Sequence, residues 1–400
     1  MMKRLIVLFF PLVLAACGGG GSSGSVSGAT TPAAPASTPQ PPVSVASTPI
    51  AVHGFDTGDL MPAINRPYVT VTVCNPTDPS KCVTIPNIML DTGSAGLRIF
   101  PSAAAGLDLP STGMNECVPF VNAATWGPVD AAKVTVAGVS ATVPIQVIDP
   151  HTTQPIPVTC SGYLQTPQQM GANGLLGVSV NPHDCGGGCA GSANNLMYYD
   201  ATTGENIAVP RDQQVTSPLY AAGVPAYTID FPDVPFDQTS VTGALELTAP
   251  KTGWISAGSA VQWTINYGDQ QGLYGILDTG TSSYWVNLPS TLNAVCALST
   301  YGELWMYSPT QPIVTQYTVS QGASPMAPAE NATSSGAFTV SNACNDLLQG
   351  AVVSPYLGTS VGTATMAGAA IADFGMPFFY GKKVSFSFFG TPTGPAVAIN

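Results

Sequence analysis

The chain has 400 residues and a net charge of −12, and only 8% of its residues are charged. An acidic chain repels phosphate backbones, which excludes nucleic acid as a partner, and so few charges leave few ion pairs for acid to break. With 42 glycines and 37 prolines, long helices are excluded as well.

The first residues, 1–16, read as a secretion signal. Lys3 and Arg4 precede an apolar run from Leu5 to Leu14 that is too short to span a bilayer. The run ends Leu14-Ala15-Ala16-Cys17-Gly18 and resembles the bacterial lipobox, in which the cysteine is lipidated after cleavage. That resemblance implies an envelope lipoprotein anchored to the membrane through Cys17. Gly18 in place of Asp implies the outer membrane of a Gram-negative cell. Residues 17–50 are nearly all Gly, Ser, Thr, Pro, Ala and Val and read as a flexible tether. What remains is long enough for two lobes, taken as residues 51–248 and 249–400.

Alternation with a period of two then dominates. It marks strands at Tyr68–Val73, Lys133–Val136, Val143–Ile148, Ala244–Leu247, Val261–Ile265 and Val384–Phe388, separated by clusters of Gly, Pro, Asn and Asp. Short helices are expected only at Ser102–Gly106, Ser290–Leu298 and Asn345–Gln349. The expected class is a mostly antiparallel all-β chain.

Apart from Cys17, eight cysteines remain, an even number suited to an oxidising compartment. Proximity in sequence suggests Cys74–Cys82, Cys117–Cys160, Cys185–Cys189 and Cys296–Cys344. A metal site at Cys185-Gly-Gly-Gly-Cys189 is the rival for one pair, but no second cysteine pair or histidine cluster accompanies it, so no metal or other cofactor is expected.

The tripeptide Asp-Thr-Gly occurs three times. Asp56-Thr57-Gly58 lacks a preceding apolar strand and reads as a turn. The other two copies share a setting: Ile88-Met89-Leu90-Asp91-Thr92-Gly93-Ser94 and Gly275-Ile276-Leu277-Asp278-Thr279-Gly280-Thr281. Each follows an apolar run and precedes a hydroxyl, and they stand far enough apart for one per domain. A carboxylate at the end of a buried strand is costly unless it is paired. Two that meet share a proton: the ionised member can take a proton from water while the protonated member donates to a carbonyl oxygen. Gly93 and Gly280 permit close approach of backbone to carboxylate. Thr92 and Thr279 can lock the loops together, and Ser94 and Thr281 can each hold an outer carboxylate oxygen. A nucleophile elbow at Gly358-Thr359-Ser360-Val361-Gly362 is rejected, because His53, His151 and His183 all precede it.

These loops resemble the two active-site loops of pepsin-like aspartic peptidases. Gly174-Leu175-Leu176-Gly177-Val178 and Ala372-Asp373-Phe374-Gly375-Met376 resemble the segments that cross near each loop in that family. The resemblance spans about residues 65 to 400. It implies a bilobal double barrel with a central cleft, an Asp91/Asp278 dyad that hydrolyses peptide bonds through an activated water, and an extended polypeptide as substrate for a monomeric enzyme. It also implies that Cys296–Cys344 is the disulfide of the C-terminal lobe. The run Leu90–Arg98 further resembles a group of uncharacterised bacterial lipoproteins near that clan. Two positions depart from the family pattern: Arg98 stands where a Trp is usual, and Phe120 near the place of a flap Tyr. Arg98, Phe120, Trp126 and Tyr284 are therefore candidates for the flap and cleft, with Arg98 free to pair with an acidic group. The alternative is a catalytically inactive surface lipoprotein of the same fold that binds peptide or glycan.

Overall fold

The computed structural model describes residues 46–400 apart from 59–61, 121–122, 150, 152–153, 251, 257–262, 289–305, 322–332, 344–345, 348, 363–364 and 367–368. The signal peptide, Cys17, most of the tether, the Cys296–Cys344 pair and the helix expected at Ser290–Leu298 lie outside the described residues.

The first half contributes β1 (Ser47–His53), β2 (Pro67–Cys74), β3 (Cys82–Asp91), β4 (Ala95–Ile99), β5 (Ser111–Pro119), β6 (Ala124–Val136), β7 (Val139–Val147), β8 (Gly174–Val178), β9 (Tyr198–Asp200), β10 (Ala226–Asp230) and β11 (Ser240–Glu246). The second contributes β12 (Ile255–Ser256), β13 (Trp263–Tyr267), β14 (Gln270–Leu277), β15 (Tyr284–Trp285), β16 (Ile313–Ser320), β17 (Ser334–Val340), β18 (Gly358–Thr359), β19 (Thr365–Met366), β20 (Ala369–Phe374), β21 (Lys383–Ser387) and β22 (Ala396–Ile399). Among the described elements are also three α-helices of four or five residues and three 3-10 helices, Val158–Cys160, Arg211–Gln213 and Met376–Phe379. The all-β, two-lobed class expected from the sequence is thus observed.

The first sheet runs β12-β22-β21-β10-β11-β1-β2-β3-β8-β4-β7-β6-β5-β9, and an added β2–β6 pairing closes β2, β3, β8, β4, β7 and β6 into a barrel. Closure removes the free edges that would otherwise invite association. Leu90, Leu97, Ile99, Val134, Ile145 and Leu176 fill its interior at 0% exposure. The second sheet runs β17-β16-β13-β14-β20-β15-β18. Its core is aromatic: Phe374 meets Tyr284, Tyr317 and Phe378 with ring centroids 5.4–5.6 Å apart.

The sheets do not part where the sequence was divided. β12, β21 and β22, all beyond residue 249, pair into the first sheet, with β21 antiparallel to β10 in the register Tyr227↔Phe386. The tether also ends sooner than expected. Ser47–His53 is a strand paired along its whole length with β11, and Ile50 and Val52 are fully buried. Ser102–Gly106 forms turns and no helix, whereas Asp346 and Leu347 are helical within the segment expected at Asn345–Gln349. Three disulfides join the expected partners: Cys74–Cys82, Cys117–Cys160 and Cys185–Cys189. The rival metal reading of Cys185 and Cys189 falls with the last of these.

Candidate active site

The two halves repeat one construction. β3 leads into the Asp91 loop and the chain returns as β4; β8 lies between them, parallel to β3 and antiparallel to β4. In the other lobe β14 leads into the Asp278 loop and returns as β15, with β20 parallel to β14 and antiparallel to β15. The crossing strand can pass only where a glycine stands. A Cβ on Gly177 would lie 2.5–2.6 Å from the backbone of Ala95, and one on Gly375 would collide with the carbonyls of Ser283 and Thr281.

The loops interlock through their threonines. Thr92 Oγ1 donates to the Leu277 carbonyl (2.8 Å) and accepts from Thr279 N–H (3.0 Å). In mirror fashion Thr279 Oγ1 donates to the Leu90 carbonyl (2.7 Å) and accepts from Thr92 N–H (3.1 Å). Both threonines are buried, so these bonds satisfy four backbone groups that water cannot reach. Thr92→Val, which keeps the shape and removes the hydroxyl, is expected to cost about 2–4 kcal/mol by leaving two of those groups unpaired. Urea unfolding checks this, with Thr92→Ser retaining most of the stability.

Each Asp is held by its own loop. Gly93 N–H and Ser94 Oγ donate to Asp91 at 2.7 and 2.5 Å. Gly280 N–H and Thr281 Oγ1 donate to Asp278 at 2.7 and 3.0 Å. The two carboxyls face each other closely enough to interact. The motif glycines face across the join: a Cβ on Gly93 would lie 2.7 Å from Asp278 Cγ, and one on Gly280 2.8 Å from Asp91 Cγ. Burial, then the charges of Asp91 and Asp373, push the Asp278 carboxyl well above the ordinary carboxylate range. A protonated Asp278 beside Asp91 is the chemical consequence. Asp56, by contrast, accepts from Gly58 N–H in an exposed turn, remote from this chemistry.

The residues expected at a flap or cleft are placed differently. Arg98 is fully buried and faces no cleft. Its Nη1 donates to the Ala95 carbonyl (2.6 Å), at the end of the Asp91 loop, and its Nη2 pairs with Asp184 (3.0 Å) and Glu116 (3.3 Å). Burial works against the guanidinium charge, but Glu116, Asp184, Tyr198 and Asp91 together outweigh it. Asp184 is itself held well above its ordinary value by burial and by Glu116, and it accepts a hydrogen bond from Tyr198. Trp126 is buried on β6 against Tyr199, and Tyr284 is buried in the aromatic core; neither side chain faces outward. Phe120 is half-buried at the end of β5 and packs on both neighbouring apolar clusters.

Sequence reasoning passed over Asn65, Arg66, Glu116, Asp184 and Asp373. Asn65 Nδ2 donates to the Ser282 and Ser354 carbonyls, both at 2.8 Å, and Arg66 Nη1 donates to the Gly280 carbonyl at 2.9 Å. Both tie the first lobe to the Asp278 loop. The only sequence signal for them is their polarity in a chain so poor in charge.

A search of curated proteins finds no match to this chain. Among solved structures it is similar to the crystal structure of an aspartic proteinase from Irpex lacteus, with 15% identity and a TM-score of 0.48 over 89% of this chain and 97% of that one. The family model described as "Protein of unknown function (DUF3443)" matches residues 42–398, and the chain belongs to that family.

Proposed function

We propose that this protein is an aspartic-type endopeptidase, carried on the cell envelope by a lipid at Cys17, that hydrolyses extended polypeptide through Asp91 and Asp278. The observation that carries the reading is the pair of carboxyls facing each other at the meeting of two interlocked loops. In the reaction a water held between them loses a proton to the ionised carboxylate as its oxygen attacks the peptide carbon. The protonated carboxyl, Asp278 in the resting pair, gives its proton to the carbonyl oxygen. Collapse of the resulting diol breaks the C–N bond: the proton gained from water passes to the leaving nitrogen, and one diol hydroxyl returns a proton to Asp278 as the new carboxyl forms. No covalent intermediate forms and no cofactor takes part.

One observation favours a second reading. Arg98 is committed to buried acids where the resembling peptidases carry a Trp, which suits a lipoprotein that binds peptide or glycan without cleaving it. A single experiment separates the two. Purified protein is incubated with an unfolded protein substrate between about pH 3 and 7, and products are read by mass spectrometry. Internal cleavage supports the peptidase; a folded protein inactive throughout that range supports the binder.

A further inference from the structure

The two lobes differ at one equivalent position. Leu175 and Asp373 each stand two residues before the crossing glycine, and each lies beside the residue two before the loop Asp: Leu175 beside Met89, Asp373 beside Ile276. One lobe places an alkyl group there and the other a carboxyl, at 3% exposure. The carboxyl reaches the candidate centre. Thr281 Oγ1 lies 2.8 Å from Asp373 Oδ2 and 3.0 Å from Asp278 Oδ2.

A hydroxyl carries one proton and cannot serve both oxygens. An ionised Asp373 would draw that proton from Asp278 and would still leave bare inside the protein its own Oδ1, which has no hydrogen-bond partner among the described residues. A protonated Asp373 resolves the count: its O–H donates to Thr281 Oγ1, and the Thr281 proton goes to Asp278. Among the described residues, the titratable groups on elements packed against Asp373 are Asp278 and Asp91, Tyr274 on β14 and Tyr284 on β15. Arg66 spends its Nη1 on the Gly280 carbonyl and Met89 Sδ. Burial raises the Asp373 carboxyl to about 8, with Thr281 opposing and the Asp91 charge adding.

We propose that Asp373 is a positioning residue, a neutral carboxylic acid whose proton fixes the Thr281 hydroxyl on Asp278, so that the centre is three carboxyls rather than two. The activity arm of the test rests on the peptidase reading; the spectroscopic arm does not. Infrared spectra of the protonated-carboxyl stretch at about pH 6 are compared for the wild type, Asp373→Asn and Thr281→Val. One protonated-carboxyl band is expected to vanish in Asp373→Asn, whose amide can still donate to Thr281, and the same band is expected to shift in Thr281→Val. Bands unchanged in either variant overturn the proposal, even if the protein is a peptidase. In the activity arm Asp373→Leu, the residue of the other lobe, lowers kcat about tenfold with KM within twofold, and Asp373→Asn recovers most of the loss. A Leu variant as active as the wild type, or an Asn variant as poor as Leu, overturns the positioning role. If the Leu variant does not fold, the Asn and Val spectra decide. If the wild type cleaves nothing while the band behaves as expected, the peptidase reading fails and the placement of the proton stands.

Discussion

Asp91→Asn and Asp278→Asn are each expected to lower peptide hydrolysis about a thousandfold or more, and to melt at or above the wild-type temperature at neutral pH. The first effect follows from the division of labour in the pair. One carboxyl must accept a proton from water while the other donates to the carbonyl oxygen, and an amide does neither. The second follows from charge. The two acids lie in contact, and the charge of Asp91 is among the causes that hold Asp278 high, after burial. Replacing either removes a repulsion while Gly93 N–H, Gly280 N–H and the two threonine locks keep the loops in place. Active sites commonly trade stability for function in this way. The assay is initial cleavage rate together with the melting temperature of the same preparations. Cleavage by both variants at the wild-type rate places the chemistry elsewhere. Loss of activity with a fall of many degrees in melting temperature makes the pair structural instead.

The parts of this site that were legible in the sequence are those whose geometry is local. An apolar strand, Asp-Thr-Gly and a hydroxyl occupy consecutive residues, so the loop bonds from Gly93 and Ser94 to Asp91 span two or three positions. The crossing glycines were legible because close packing leaves nothing else possible at Gly177 and Gly375. Arg98 was not. Its partners lie 18 and 86 residues away, and no local pattern says that a cation on β4 meets Glu116 of β5 and Asp184 of a later loop. Asp373 was quoted only as part of the crossing segment, and nothing local gives its carboxyl a role; only the parallel register with β14 brings it to Thr281. Composition misled at Ser47–His53, whose Pro, Thr and Ala match the tether while its pairing with β11 buries alternate side chains. The joining of β12, β21 and β22 to the first sheet is a pairing of chain ends, which periodicity cannot foresee.

The protein is expected to lose stability as pH rises from about 4 to 8, with a fall in melting temperature on the order of 10 °C. The direction comes from acids that hold their protons more tightly in the fold than in the unfolded chain. Asp373 is raised by burial from 3.8 to about 8, Asp130 and Asp237 by burial to about 6, and Asp278 and Asp184 upward as well. An acid with a raised value stabilises the fold fully below its unfolded value, and that contribution is lost as pH climbs through the folded one. For Asp373 alone the window runs from about 3.8 to 8 and is worth on the order of 5 kcal/mol. His183 opposes the trend: burial lowers its value below 6.5, so protonation in acid costs stability there. The acids whose values are lowered by turn hydrogen bonds, Asp78 and Asp200, are exposed and act only below about 4. Ion pairs give little back, since of those described Lys81–Asp108 and Lys383–Asp230 lie at the surface and Arg98 is shared between two buried acids. Thermal unfolding at pH 4, 6 and 8 and constant ionic strength measures the slope, and Asp373→Asn should flatten it by raising the melting temperature at pH 8. A wild type that melts higher at pH 8 than at pH 4 would show that these carboxyls are ionised in the fold at neutral pH, and the proton placed on Asp278 would go with them.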